Sequence, residues 1–274
     1  MARETDEARI GTLYAYNRAG WLLEKREPVS RAEDGSVQYR LTQYVYDTNG
    51  NRTEEKRFLS FQDGESAKGS IHTLTFGYDK QNRLVRVSDG LGAVVRYEYD
   101  SLNRRTRETR LLSEGLTQRV DYHYDPAGRL IEVEQSADQE ENSNVIRLIR
   151  GSELIARSSD SARTYYHYAS DEMGSTTHIV DDEGQVQNRY GYDAWGNLTL
   201  CEENISNRFK FTSQQLDSIT QQYYLRARFY NPVIGRFTQE DTYRGDGLNL
   251  YAYCANNPVY YVDPSGLAKN PYVR

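Results

Sequence analysis

Apolar and polar positions alternate with a period of two through most of the first two hundred residues. Val95, Tyr97 and Tyr99 fall on one side of their segment, with Arg96 and Glu98 on the other. Val120, Tyr122 and Tyr124 oppose Asp121 and His123 in the same way. A period of two is the mark of a half-buried strand, because successive side chains leave opposite faces of a pleated backbone. These segments run into turns such as Asp47-Thr-Asn-Gly50, Asp125-Pro-Ala-Gly128 and Asp193-Ala-Trp-Gly196. Asp at the first turn position caps nearby backbone N–H groups, and Gly takes the positive φ that other residues resist. A second strand follows each turn; in Arg129–Glu134, Ile131 and Val133 are expected on one face, opposite Glu132 and Glu134. The pattern therefore predicts consecutive antiparallel hairpins over residues 12 to about 205, with the tyrosine faces to one side. Long helices have little support, and one short helix is expected near residues 212–218. Residues 60–70 and 136–144 are polar and predicted as exposed loops.

One phrase marks the hairpins: an aromatic, any residue, Tyr, then Asp or a relative. It occurs as Tyr14-Ala-Tyr16-Asn17, Tyr44-Val-Tyr46-Asp47, Phe76-Gly-Tyr78-Asp79 and Tyr97-Glu-Tyr99-Asp100, then as Tyr122-His-Tyr124-Asp125, Tyr166-His-Tyr168 and Tyr190-Gly-Tyr192-Asp193. The second tyrosines stand at 16, 46, 78, 99, 124, 168 and 192, giving steps of 30, 32, 21, 25, 44 and 24. A quasi-repeat of about two dozen residues belongs to stacked repeat architectures. His123 and His167 hold the middle place of the phrase, on the face away from the tyrosines, and read as strand residues rather than catalysts.

Composition changes what the core must be made of. With 24 Tyr in 274 residues, tyrosine has to supply much of the packing, and each hydroxyl needs water or a partner at the edge of the core. The charge is 34 − 40 = −6, which argues against general nucleic-acid binding. No run approaches the ~18 apolar residues of a membrane helix, and the N-terminal MARETDEARI does not read as a signal peptide. Cys201 and Cys254 cannot form a disulfide framework and read as plain thiols. His72, His123, His167 and His178 lack metal-ligand spacing, so neither a metal nor a cofactor is expected. Three N-x-S/T sequons, at Asn51, Asn197 and Asn204, are of a kind common by chance.

From about Arg208 the repeat gives way to a denser string. It contains Tyr223-Tyr-Leu-Arg-Ala-Arg-Phe-Tyr-Asn-Pro232, Gly235-Arg-Phe237, Gly247-Leu-Asn-Leu-Tyr-Ala-Tyr253, Asn256-Asn-Pro-Val259 and Asp263-Pro-Ser-Gly-Leu267. In this order the motifs resemble the core segment of Rhs/YD-repeat proteins, and the upstream phrases resemble the family's YD repeats. The family includes polymorphic Rhs toxins, the C component of insecticidal Tc complexes, bacterial wall-associated toxins and, more distantly, the teneurins. The resemblance implies an all-β fold: a long antiparallel β-strip of hairpins spiralling into part of a hollow shell, with a C-terminal core segment plugging or lining one end. It divides the chain into a strip at 1–207, a core at 208–267 and a tail at 268–274.

In toxin carriers of this family the core works as an aspartyl autoprotease that frees a C-terminal toxin inside the shell. Carried over by motif, the catalytic groups are Arg228, Asp241 and Asp263, and the bond is Leu267–Ala268. The chemistry is coherent on its own terms. Two neighbouring carboxyls do not both ionise cheaply, so one serves as base and one as acid, and a guanidinium can hold one of them charged. Glu240 and Asp246 are alternatives to Asp241, Arg228 alternatively serves as a structural salt-bridge partner, and Asp263 alternatively caps the turn of its own D-P-S-G sequence. Seven repeat phrases are few for a shell, so the chain reads as the C-terminal part of a larger protein. Its implied partners are an upstream shell segment and a toxin effector encoded elsewhere, and its implied location is secreted or cell-surface. An incomplete strip leaves a strand edge open, so the isolated chain is expected to associate. The competing reading is a non-enzymatic surface protein that binds carbohydrate, or a partner on a cell, through flat aromatic faces.

Overall fold

The computed structural model describes residues 11–271 apart from 32, 34, 63–68, 70, 112–114, 139–142, 152, 160–163, 244 and 246. Sixteen antiparallel strands between Leu13 and Glu203 are hydrogen-bonded in chain order, each to its sequence neighbours. The hairpin expectation for residues 12 to about 205 is met, and no helix among the described residues is long and apolar enough to cross a membrane. Two compact units divide the chain, residues 1–76 and 77–274.

The turn chemistry explains why Asp follows Tyr so regularly. In seven turns among the described residues, at Asp47, Asp79, Asp89, Asp100, Asp171, Asp181 and Asp193, one carboxylate oxygen accepts the backbone N–H groups two and four residues on. The other oxygen often takes the side chain at the fourth position: Asn51, Arg83, Arg104, Arg129 or Asn197. One aspartate thus closes the loop from both sides, an Asx-type turn with an added lock.

The first aromatic of the phrase faces inward in most copies. Tyr44, Phe76, Tyr97, Tyr122 and Tyr190 are buried, Tyr166 is half-buried and Tyr14 is exposed. His123 and His167 lie on the exposed side, near Glu134 and Asp182 respectively. The strand after the turn corrects the sequence reading. Leu130 and Val133 are buried together while Ile131 is 40% exposed, because the pairing register shifts between Leu130 and Glu132. A bulge adds one residue on one strand, so positions three apart come to share a face. The same spacing buries Arg52 with Glu55 in the first unit, and Arg105 with Glu108 in the second.

Two other expectations shift. Residues 60–62 continue the strand Arg52–Gln62, while 136–137 and 144 belong to Leu130–Ala137 and Asn144–Arg150. Gly69, Asp138 and Ser143 are exposed and outside the strands, as expected, and the predicted loop positions 63–68, 70 and 139–142 lie outside the described residues. In place of a helix at 212–218, the chain makes a 3-10 turn at Phe211–Ser213 and a short strand at Gln215–Leu216. Thr212 at φ 46° and Ser213 at φ 54° cannot continue a right-handed helix.

The segment after Arg208 is built differently. Its strands are two or three residues long, and it packs as an aromatic cluster of Phe211, Tyr223, Tyr230, Phe237 and Tyr253 with Leu225 and Cys254. The Tyr230 and Tyr253 rings stack with centroids 4.0 Å apart. Phe209 joins the repeat core beside Val120, Tyr122, Leu130 and Val133. A polar network fastens the two parts. Glu108, fully buried, accepts Arg208 Nη1 at 2.9 Å, the Tyr122 hydroxyl at 2.8 Å and Arg110 Nε at 2.5 Å. Arg105 lies among the rings of Tyr97, Tyr122 and Tyr224 and donates to Gln215 at 2.8 Å.

Candidate functional site

Arg228 sits just before the strand Phe229–Asn231 and is 4% exposed. Its guanidinium lies 3.6 Å above the Phe237 ring, which fixes its plane by a cation–π contact. Each edge of the fork is used. Nε donates to the Gly266 carbonyl at 2.5 Å and Nη1 to the Leu250 carbonyl at 3.0 Å. Nη2 meets Asp241 Oδ2 at 2.6 Å and lies 3.9 Å from Asp263 Oδ2. Arg228, Asp241 and Asp263, separated by up to 35 residues in sequence, therefore converge on one guanidinium nitrogen, and all three are buried.

The two carboxyls are held in different ways. Asp241 accepts the Tyr243 N–H on Oδ1 at 2.7 Å, and its own N–H donates to the Leu250 carbonyl at 3.0 Å. Asp263 Oδ1 accepts the N–H groups of Ser265 at 3.1 Å and Gly266 at 2.8 Å. Asp263 thus caps its D-P-S-G turn with one oxygen and faces Arg228 with the other, so capping the turn leaves an oxygen directed at the guanidinium. Burial pushes the Asp263 carboxyl above its ordinary value of 3.8, outweighing those N–H groups and the nearby Arg228, which pull it down. Of the alternatives to Asp241, Asp246 lies outside the described residues.

Leu267 and Ala268 are half-buried, one and two residues past the carbonyl that Arg228 holds. Beyond them Asn270–Pro271 turns back to pair with Tyr261–Val262, in the register Tyr261↔Pro271 and Val262↔Asn270. The Leu267–Ala268 bond consequently lies in a short hairpin loop that also carries Asp263. Sequence reasoning missed this pairing, as well as the Phe237 platform and the two carbonyls that orient Arg228. Gly266 admits no larger residue: a Cβ there would lie 2.5 Å from the Leu225 carbonyl oxygen, at a φ of +73°. Cys201 and Cys254 are free thiols. Among the described residues no group of three or more His, Cys, Asp or Glu is placed to hold a metal ion.

Residues 139–259 match the Teneurin YD-shell family and residues 78–112 match the RHS Repeat family. The tRNA3(Ser)-specific nuclease WapA of Bacillus spizizenii is 30% identical over 288 residues, covering 97% of this chain and 11% of that protein. Double-stranded DNA deaminase toxin A of Burkholderia cenocepacia is 27% identical, over 98% of this chain and 22% of the relative. Toxin protein Tse5 of Pseudomonas aeruginosa is 26% identical, over 82% of this chain and 18% of the relative. The chain thus spans roughly a tenth to a fifth of the length of these relatives. Among solved structures, TcdB2-TccC3-Cdc42 superposes with a TM-score of 0.60 at 17% identity, over 93% of this chain and 15% of that one. The Photorhabdus luminescens Tc holotoxin pore superposes with a TM-score of 0.62 at 18% identity, over 94% and 15%. The antiparallel fold, its Asp-closed tyrosine repeats and these matches together make the chain a member of the Rhs/YD-repeat family.

Proposed function

We propose that the chain is a segment of an Rhs-type toxin-carrying shell, with strip at 1–207 and core at 208–267, and that its core cuts the Leu267–Ala268 bond by an aspartyl mechanism. The toxin effector and the rest of the shell are its partners, in a secreted or cell-surface system. The observation that carries the reading is the single Arg228 nitrogen set 2.6 Å from Asp241 and 3.9 Å from Asp263, with Nε of the same side chain on Gly266. The toxin and nuclease names of the matched relatives support the carrier role.

The chemistry assigns the two carboxyls opposite jobs. Asp241, ion-paired with Arg228 at close range, serves as the base and takes a proton from water as hydroxide adds to the Leu267 carbonyl carbon. Asp263, the carboxyl that burial favours in its neutral form, gives its proton to the carbonyl oxygen. Collapse of the tetrahedral species breaks the C–N bond: Asp241 passes the proton taken from water to the Ala268 nitrogen, which leaves as an amine, and Asp263 takes back a hydroxyl proton as the Leu267 carboxyl forms. Arg228 holds the substrate strand one residue before the bond. The carbohydrate-binding alternative has less support: the leading aromatics of the phrase are mostly buried, and hydroxyls such as Tyr99 and Tyr124 are spent on backbone carbonyls.

Intact mass after purification tests the cut. Loss of the residues after Leu267 is expected in the folded protein and not in chain kept denatured, at a rate independent of protein concentration. Asp241→Asn and Asp263→Asn keep the shape but remove a base and an acid, so each is expected to abolish the cut. Arg228→Lys retains the charge without the planar fork and is expected to slow it. Cutting that persists in both Asn variants would overturn the assignment.

A further inference from the structure

The longest step in the tyrosine series, from Tyr124 to Tyr168, conceals a repeat whose tyrosine has been replaced. In regular copies the second tyrosine hydroxyl donates to the carbonyl five residues after the Asp of the preceding turn. Tyr99 reaches Leu84 at 2.6 Å, Tyr124 reaches Arg105 at 2.8 Å and Tyr192 reaches Thr176 at 2.8 Å. The corresponding carbonyl after Asp125 is that of Leu130. It is taken at 2.9 Å by Nε of Arg150, so Arg150 occupies the tyrosine's place.

The exchange has an electrostatic cost. At two other turns closed by an arginine, the guanidinium lies over the next tyrosine ring, Arg83 over Tyr99 at 5.0 Å and Arg104 over Tyr124 at 4.9 Å. Arg129 has the charged Arg150 as a neighbour instead of that tyrosine. Both line a cavity of about 150 Å³ together with Arg104 and Arg226, and no carboxylate lines it among the described residues. Asp100 and Asp125 bind Arg104 and Arg129 through Nε. Arg150 has no ion pair among the described residues; it donates to Leu130 and lies 5.5 Å from the Phe209 ring. Burial and the neighbouring Arg226 and Arg129 charges depress its affinity for its proton. A second cavity of about 210 Å³ adjoins, sharing Arg150 and Arg226 and lined also by Glu153 and Asp263.

Asp100 and Asp125 offset the charges of Arg104 and Arg129, but Arg150 and Arg226 bring two further guanidinium charges to a small cavity with no carboxylate partner among the described residues, which is destabilising unless an anion joins them. Where a repeat departs from its own stabilising rule at a cost, function is the usual reason. We propose that this cavity binds a small phosphate-bearing anion, held chiefly by Arg129, Arg150 and Arg226. Phosphate carries the multiple charge and several acceptor oxygens that converging planar donors engage in paired hydrogen bonds. The cavity's size suits a phosphate or pyrophosphate group rather than a length of polymer.

Calorimetric titration of the full chain with pyrophosphate tests this at moderate ionic strength. Saturable binding is expected in the wild type, unaffected by equimolar acetate. Arg150→Tyr restores the repeat's own residue, so it is expected to keep the β circular-dichroism spectrum, to melt no lower than the wild type and to bind pyrophosphate at least tenfold more weakly. Arg226→Ala, at an exposed position, is expected to weaken binding about threefold or more. A single-stranded oligonucleotide separates free phosphate from nucleic-acid phosphate as the source: pyrophosphate is expected to displace any that binds. No binding at millimolar pyrophosphate, unchanged affinity in both variants, equal displacement by acetate, or oligonucleotide binding that pyrophosphate does not displace would each overturn the proposal.

Discussion

The repeat hairpins of residues 77–203 and the segment from Arg208 onward solve the same problem, burying tyrosine, by opposite means. A hairpin satisfies itself with partners close in sequence: Asp100 with Arg104, and Tyr124 with the Arg105 carbonyl. The later segment draws on partners a hundred residues away: Arg208 with Glu108, and Asp217 with the Tyr97 hydroxyl at 2.7 Å. Short-range satisfaction lets a repeat drift in sequence, because each unit needs only its neighbours. Long-range satisfaction ties a segment to one place, and that is what a site with a fixed guanidinium and two buried carboxyls requires.

The contact between the regions is where the difference breaks most sharply. Glu108→Gln removes the only carboxylate shown to bind Arg208, leaving buried arginine charge uncompensated, and is expected to cost about 3–5 kcal/mol. The Glu108 carboxyl is held below its ordinary value of 4.5 because the arginines, Arg208 first, outweigh burial. Chemical denaturation at pH 7 measures the loss; a cost under about 1 kcal/mol would show that the network is not what fastens the segment.

Two glycines with the same backbone form and different surroundings sharpen the comparison. Gly184 (φ +78°) has open space at its Cβ position, whereas at Gly196 (φ +88°) a Cβ would lie 2.5 Å from Phe211 Cδ1. Gly184→Ala is expected to cost about 1–2 kcal/mol from backbone strain alone. Gly196→Ala adds overpacking against the aromatic cluster, for a total of about 2–5 kcal/mol. Equal costs in thermal melts would mean that Phe211 is not pressed onto the turn.

The smallest effect is a pH trend. Asp263 has a raised carboxyl in the folded state, so below its ordinary value of 3.8 it is neutral both folded and unfolded and carries no penalty. As pH rises from 3.8 through the folded-state value, the unfolded carboxyl ionises first and wild-type stability falls. Asp263→Asn does not titrate, so its melting temperature is expected to gain on the wild type as pH rises from 3 to 7. A difference that stays flat, or runs the other way, would show that burial does not dominate at Asp263.

Much of the strip was legible because its determinants are local. Alternation about Tyr97 and Tyr122 and the Asp-x-x-Gly turns specify hairpins whatever lies beyond them. The face of Ile131 was misread because a bulge is a two-strand property, and periodicity on one strand does not reveal it. The Tyr-to-Arg replacement at position 150 left a sequence trace, the long step of the series, but its meaning depends on which carbonyl the side chain meets.

The candidate site divides along the same line. Motif resemblance singled out Arg228, Asp241 and Asp263, and turn chemistry independently suited Asp263 as a cap. The sequence by itself determined the repeat, the turns and the chemical kinds of group available, since those follow from backbone preference and side-chain type. Only the tertiary structure decided that one Arg228 nitrogen lies near both carboxyls, that Phe237 carries its plane and that the Gly266 carbonyl takes its Nε. Convergence of residues 228, 241, 263 and 266 rests on packing among two- and three-residue strands, whose positions are set by what they bury against, and no local propensity encodes that.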